Sequence, residues 1–252
     1  MNERIIRKIH GLVFPALLII LWQGVSYFGW VNPYLLPSPG DIIGAFTELL
    51  FTGEIFTHIK SSLFRLGVGM AITIGLAVPL GLFIGLFSRA QKFITPTLAF
   101  LQQIPTIAWI PVFILWLGIG EAMKIALMVY AAFFPVFINT LFGIQSVDQK
   151  LKEVAQAFSL GYQARIIHVY LPSAAPHFFV GIRLGFSNCW RALVAAEIIA
   201  SSKGLGYLLM EGRNLAQAEL IFVSIFIIGS LGALIDYGIK YLEQRALPWH
   251  KA

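Results

Sequence analysis

Apolar residues run through this chain in blocks of about twenty, the length at which a helix crosses the hydrocarbon of a bilayer. Polar breaks separate the blocks. The first covers Leu12–Trp30, after Arg4, Arg7 and Lys8. A cleavable leader is the rival reading there, but no small-residue cleavage site follows, and Trp22, Gln23 and Tyr27 are poor context for one. Asn32–Lys60 is less apolar and opens on Pro33, Pro37, Pro39 and Gly40. Within it Ile42, Ile43, Ala45, Phe46, Leu49 and Leu50 recur at helical spacing, which predicts an amphipathic helix at the membrane surface. The second span is Ser62–Phe87, rich in glycine. Its Gly81 and Gly85 have the small-xxx-small spacing that lets helices approach closely in lipid.

The third block, Phe93–Leu117, contains Pro96, Pro105 and Pro111, and Gly118–Lys124 is a tight connection. The fourth span is Ile125–Ile144, with Pro135 inside it. The stretch 145–172 is polar enough to leave the membrane. Phe178–Ala200 and Leu220–Tyr241 are the fifth and sixth spans. The expected fold is an all-α membrane protein of one domain, residues 1–252, with about six transmembrane helices, or five if the proline-rich block does not cross.

Composition agrees. The chain has 252 residues, 58% hydrophobic and only 12% charged, against about 25% charged in soluble domains. The net charge of +6 is not gathered into a basic stripe, so no nucleic-acid partner is expected. Cys189 is the single cysteine, and the five histidines form no i,i+4 pair. Neither a disulfide nor a metal motif is expected. With the N-terminus inside, eleven basic residues fall in cytoplasmic segments, among them Arg89, Lys150 and Arg245. Four (Lys60, Lys124, Lys203, Arg213) fall outside, and Arg65, Arg183 and Arg191 lie within spans. The positive-inside rule then puts both termini in the cytoplasm.

The segment 145–172 is the longest cytoplasmic loop. Leu151, Val154, Ala155 and Phe158, then Ile166, Ile167, Val169 and Leu171, recur at helical spacing. Two short amphipathic helices are expected, broken near Ser159–Gly161 and stopped by Pro172. This loop resembles the EAA motif of ATP-binding-cassette importer permeases: Glu153, Ala155, Leu171 and Pro172 stand at matching positions. Val154 replaces the middle alanine. Ser159 occupies the usual glycine position, where glycine would permit φ > 0, and Gly161 comes two residues later. The stretches from Leu36 to Ile42, Ile104 to Ile125 and Trp190 to Leu209, and the closing Pro248, Trp249 and His250, are similar to the nitrate/sulfonate/taurine branch of that family.

The resemblance covers nearly the whole chain and implies a type I permease of a bacterial inner membrane, importing a small anion such as a sulfonate, taurine, nitrate or an organic carboxylate. It implies a second permease copy as partner, two cytosolic ATPase subunits and an extracytoplasmic substrate-binding protein. The ATPases would dock around Glu153, Ala155, Ala157, Phe158, Ser159, Gly161, Leu171 and Pro172. The chain itself has no P-loop, so it is not expected to be an enzyme or to hold a cofactor. ATP and Mg would bind the ATPase chain.

Polar groups inside spans are costly and ask for a partner or a task. Gln102, Gln103 and Thr106 flank Pro105, whose missing N–H frees a carbonyl and breaks the helix. They line a cavity or bond between helices. Trp109 is an aromatic wall or plain packing. Asn139 is a pathway candidate or makes a helix–helix hydrogen bond. Ser187, Asn188 and Arg191 share one side of the fifth helix. Arg183 snorkels or anchors the loop. Arg191 either offers its planar fork to an anion or forms a structural ion pair with Glu197, a second pathway candidate, of a partner copy or of the same bundle; within one straight helix six residues set the two about 240° apart, which makes that pair awkward. A stand-alone secondary transporter or channel is the alternative, though no internal repeat supports it. For a membrane enzyme no catalytic cluster is visible, and Cys189 reads as packing.

Overall fold

The computed structural model describes the backbone of residues 3–247, with the side chains of residues 13, 14, 16–87 and 89–247. The closing Pro248, Trp249 and His250 lie outside the described residues. Among those described there is no strand. Eleven α-helices follow one another: α1 Glu3–Tyr27, α2 Pro39–Thr52, α3 Glu54–Leu86, α4 Ser88–Gln103, α5 Ile110–Leu117, α6 Glu121–Gln145, α7 Gln149–Ala157, α8 Tyr162–Arg165, α9 Leu171–Ala200, α10 Leu205–Asn214 and α11 Ala218–Ala246.

By length and composition α3, α6 and α11 can each cross a membrane. Two further pairs qualify only as bent units: α4 with the 3₁₀ turn and α5, bent by 92°, and the run from α8 through α9 with α10, bent by 43°. Ala16–Tyr27 is a shorter apolar helix. The block expected as a third span thus turns through a right angle at Ile104 and Pro105, both extended (ψ 119° and 132°).

The centre is α3, α6 and α9, and glycine lets them touch. A Cβ on Gly81 would sit 2.9 Å from the Thr140 Cβ, and one on Gly85 2.9 Å from the Ile144 Cβ. On the other face of α6, a Cβ on Gly181 would come within 2.8 Å of the Asn139 Cβ. Helix packing is therefore the role of the Gly81/Gly85 pair, as the sequence suggests. Two neighbouring boundaries are set by local chemistry. Ser38 caps α2: its Oγ accepts from the Asp41 N–H at 3.1 Å, and the Asp41 carboxylate accepts from the Ser38 N–H at 3.0 Å. Gly53 ends that helix at φ 77°, and α3 begins at once. The second span's helix therefore starts at Glu54, eight residues before the expected Ser62.

One expectation for a later segment fails. Pro172 does not stop a helix: the chain stays helical from Tyr162 to Ala200. Ile166–Tyr170 is a π turn in which the Leu171 N–H reaches the Ile166 carbonyl, and Pro172 follows directly after this widened turn, at the start of α9. The connection between the fifth and sixth spans holds α10.

Candidate functional site

Pro105 has no N–H to give to the Leu101 carbonyl four residues back, and the chain breaks there. The turn Thr106–Trp109 follows as 3₁₀ helix. The break borders a cavity of about 340 Å³. Pro105, Thr106 and Ile107 form one wall, Leu127 and Ala131 of α6 the second, and Asn188, Arg191, Ala192 and Ala195 of α9 the third. Three of the expected pathway residues (Thr106, Asn188, Arg191) thus meet, although 82 residues separate the first two in sequence.

The Arg191 guanidinium is exposed to this space and donates to the Asn188 side-chain oxygen at 3.1 Å. Among the described residues no carboxylate lies within ion-pair distance of it. A fork of donors with one neutral partner, in a mostly apolar chamber, suits a planar or tetrahedral oxyanion.

The other candidates lie elsewhere. Gln102 and Gln103 end α4 exposed and outside the cavity wall. Trp109 turns away into an aromatic cluster, stacked on Phe113 at 5.7 Å and 5.2 Å from Tyr130. Asn139 donates to the Pro135 carbonyl of its own helix at 2.8 Å, not to a neighbour, because Gly181 brings α9 against its Cβ and leaves the amide only the helix backbone. Arg183 neither snorkels nor holds the loop. It makes a two-pronged pair with Asp236 of α11 at 2.6 and 2.9 Å, since two opposite charges facing each other in apolar surroundings satisfy one another.

Glu197 is not the partner of Arg191. Six residues along one helix turn the two side chains about 240° apart, and Glu197 faces α3. It is fully buried (0% exposed). The Ser62 hydroxyl donates to both its oxygens at 2.7 and 2.9 Å, Arg65 at 2.8 Å, and the Gly206 N–H at 2.9 Å. Arg65, itself 5% exposed, also makes two bonds to Glu121 (2.7 and 2.8 Å) and one to the Lys203 carbonyl (2.8 Å). Lys124 closes the group on Glu121 at 2.6 Å. This hub ties α3, α6, α9 and the start of α10 together, about a turn and a half beyond Arg191. Gly204 (φ 133°) and Gly206 are required there, because a Cβ on either would collide with Glu197. Ser62, Arg65, Glu121 and Lys124 received no role from the sequence. The available signal was the coincidence of lone charges, Arg65 in the first turns of one span and Glu197 in the last turn of another.

The segment expected to couple to an ATPase stands out from the bundle. Asp148 caps α7 by accepting from the Lys150 N–H at 2.9 Å. Ala155 is buried, while Glu153, Ala157 and Phe158 (76% exposed) face out beside Leu151 and Val154. Ser159 takes φ 52°. Its N–H reaches the Gln156 carbonyl at 2.8 Å, and the Leu160 N–H the Ala155 carbonyl at 3.0 Å, the paired bonds of a left-handed helix stop. Ser159 therefore adopts the conformation that glycine would supply, and Gly161 stays at φ −63°. Leu171 is partly exposed and Pro172 exposed at the base of α9.

Residues 77–248 match the family described as the binding-protein-dependent transport system inner membrane component. The chain belongs to this family. It is also 38% identical over 242 residues to the putative aliphatic sulfonates transport permease protein SsuC of Bacillus subtilis (strain 168), covering 96% of this chain and 88% of that one. It is 30% identical to the formylaminopyrimidine transport permease protein ThiX of Halalkalibacterium halodurans (99% of both chains). It is 28% identical to the taurine transport system permease protein TauC of Escherichia coli (strain K12) (93% and 87%). Among solved structures, a chain of the MetNI methionine ABC transporter in inward-facing conformations matches with TM-score 0.65 at 14% identity, covering 79% of this chain and 96% of that one. That likeness shows a shared fold. The family match takes in the break at Pro105, the whole cavity wall and the α7 segment.

Proposed function

We propose that this inner-membrane permease forms the translocation pathway for a small oxyanion of the sulfonate class, carried into the cell at the cost of ATP hydrolysed on a separate chain. The observation that carries the reading is the cavity at the Pro105 break, where Arg191, with no carboxylate partner among the described residues, faces Thr106 and Asn188. The names of the relatives, among them permeases for aliphatic sulfonates and taurine, favour an anion over a cation.

Two copies of the chain enclose the pathway in this reading, and an extracytoplasmic binding protein delivers the cargo. Two cytosolic ATPase subunits holding ATP and Mg dock on the outward face of α7 and the Ser159 turn. Exposed Val154, Ala157 and Phe158 supply apolar area, and Glu153 a charge at the rim. Both termini lie in the cytoplasm in this reading, which the bias of basic residues supports.

The test is Arg191→Lys and Arg191→Met, assayed for uptake of ethanesulfonate and for copurification of the ATPase. Arg191→Lys should lower uptake at least about ten-fold with assembly intact, because a point charge does not reproduce the fork; Arg191→Met should abolish it. Normal uptake by Arg191→Met overturns the assignment.

A further inference from the structure

The Leu101 carbonyl that Pro105 leaves without its helical donor is not left open. The hydroxyl of Tyr130, on α6, donates to it at 2.6 Å. This is shorter than the 3.1 Å bond that the same carbonyl receives from the Ile104 N–H in the last turn of α4. The ring of Tyr130 meanwhile lies against the other limb of the break. Its centroid is 5.2 Å from Trp109 and 6.3 Å from Phe113, at 48° and 71° to them. Behind it stands Phe134, one turn along α6, edge-on at 5.1 Å. One side chain therefore holds both sides of a 92° bend: α4 by a hydrogen bond, the 3₁₀ turn and α5 by aromatic contact.

Tyr130 stands one turn from Leu127 and next to Ala131, both of which line the cavity, so the anchor and the wall share a helix. A displacement of the break would move Thr106 and Ile107 relative to Arg191 on α9.

We propose that Tyr130 is the positioning residue of the re-entrant limb: by pinning the Leu101 carbonyl and wedging Trp109 and Phe113, it sets the Pro105–Ile107 wall of the cavity across from Arg191. The consequence for transport rests on the function proposed above; the clamp itself does not. Without the hydroxyl, the part-buried Leu101 carbonyl keeps only the longer bond from the Ile104 N–H, the tie from α4 to α6 is lost, and the limb is free to shift. Phenylalanine at 130 keeps the ring contacts and removes only the donor.

The test uses thiol labelling of the full chain in proteoliposomes. Cys189, the native cysteine, is fully buried, so an introduced thiol is read cleanly. In Thr106→Cys, adding Tyr130→Phe should raise the rate of maleimide labelling about five- to ten-fold. In Ala195→Cys, on the opposite wall, it should change the rate less than two-fold. In a Pro105→Ala background the Leu101 carbonyl regains a backbone donor, and Tyr130→Phe should then add nothing at position 106. Simple loss of packing would not give that non-additivity. An unchanged rate at 106, an equal rise at 195, or full persistence of the effect with Pro105→Ala overturns the clamp. Uptake of ethanesulfonate is measured beside it and should fall several-fold with Tyr130→Phe. If labelling responds as expected while neither Tyr130→Phe nor Arg191→Met alters uptake, the clamp stands and the pathway assignment falls.

Discussion

Replacing Glu197 by glutamine should cost this fold more than any other single exchange of a charged side chain for its amide. The group is fully buried, and its neighbours are all donors: the Ser62 hydroxyl, the Arg65 guanidinium and the Gly206 N–H. Ser62 can turn its hydroxyl to accept with a second lone pair beside the one that takes the Leu205 N–H, but Arg65 on one carboxylate oxygen and the Gly206 N–H on the other can only donate. Either orientation of the new amide therefore aims its NH2 at a donor. Arg65 keeps its two bonds to Glu121 and one to Lys203, so the stranded charge is only partly uncompensated.

The expected loss lies at the lower end of the range for breaking a buried pair, about 3 kcal/mol. At about 2–4 °C per kcal/mol for a chain of this size, the melting midpoint should fall by about 6–12 °C. Glu121→Gln supplies the control. Its side chain is 58% exposed, solvent screens the pair with Arg65, and the remaining carbonyl still accepts from Lys124; about 1 kcal/mol is expected. The assay is thermal unfolding of the detergent-solubilised chain by tryptophan fluorescence. A shift below about 2 °C for Glu197→Gln, or an equal shift for Glu121→Gln, refutes the reasoning that burial and donor-only surroundings set the magnitude.

Two further outcomes follow from the α7 segment. Ala157→Asp, which puts a charge on the outward apolar face, should abolish substrate-stimulated ATPase activity and copurification of the ATPase. Glu153→Ala should be milder, since an exposed ion pair contributes only about 0–1 kcal/mol; full coupling in Ala157→Asp removes this face from the docking surface. Ser159→Gly should be neutral to stabilising by up to about 1 kcal/mol with coupling intact, because a residue with a Cβ is strained at φ 52°. A measured destabilisation would show that the serine hydroxyl has a role beyond the turn.

Much of this protein is legible along the chain. Block length against bilayer thickness marks α3, α6 and α11 as spans but not the bend in the third block, and the loop between Glu153 and Pro172 carries the family's pattern. Pro105 announces a break because a missing N–H is a covalent fact, whatever surrounds it. Arg191 stands out for the same kind of reason: a guanidinium in an apolar helix must answer for its charge. Thr106 and Asn188 were also singled out, each from its own stretch of chain.

What the tertiary structure decided is who answers whom. Arg183 meets Asp236 where α9 packs on α11, with Gly232 against Trp190, and Glu197 meets Arg65 because glycines seat both α3 and α9 closely on α6 and so bring their faces together. A helical period gives the direction of a side chain on its own helix but not the rotation or depth of the neighbour that receives it. The same gap hid Tyr130. Nothing in its own segment links it to Leu101, and the link exists only because the limb that Pro105 breaks is folded back onto α6. Ser159 shows the converse: the fold keeps a left-handed helix stop although the residue best suited to it is missing, since the paired bonds from Ser159 and Leu160 close the end of α7 and outweigh the local strain of one side chain.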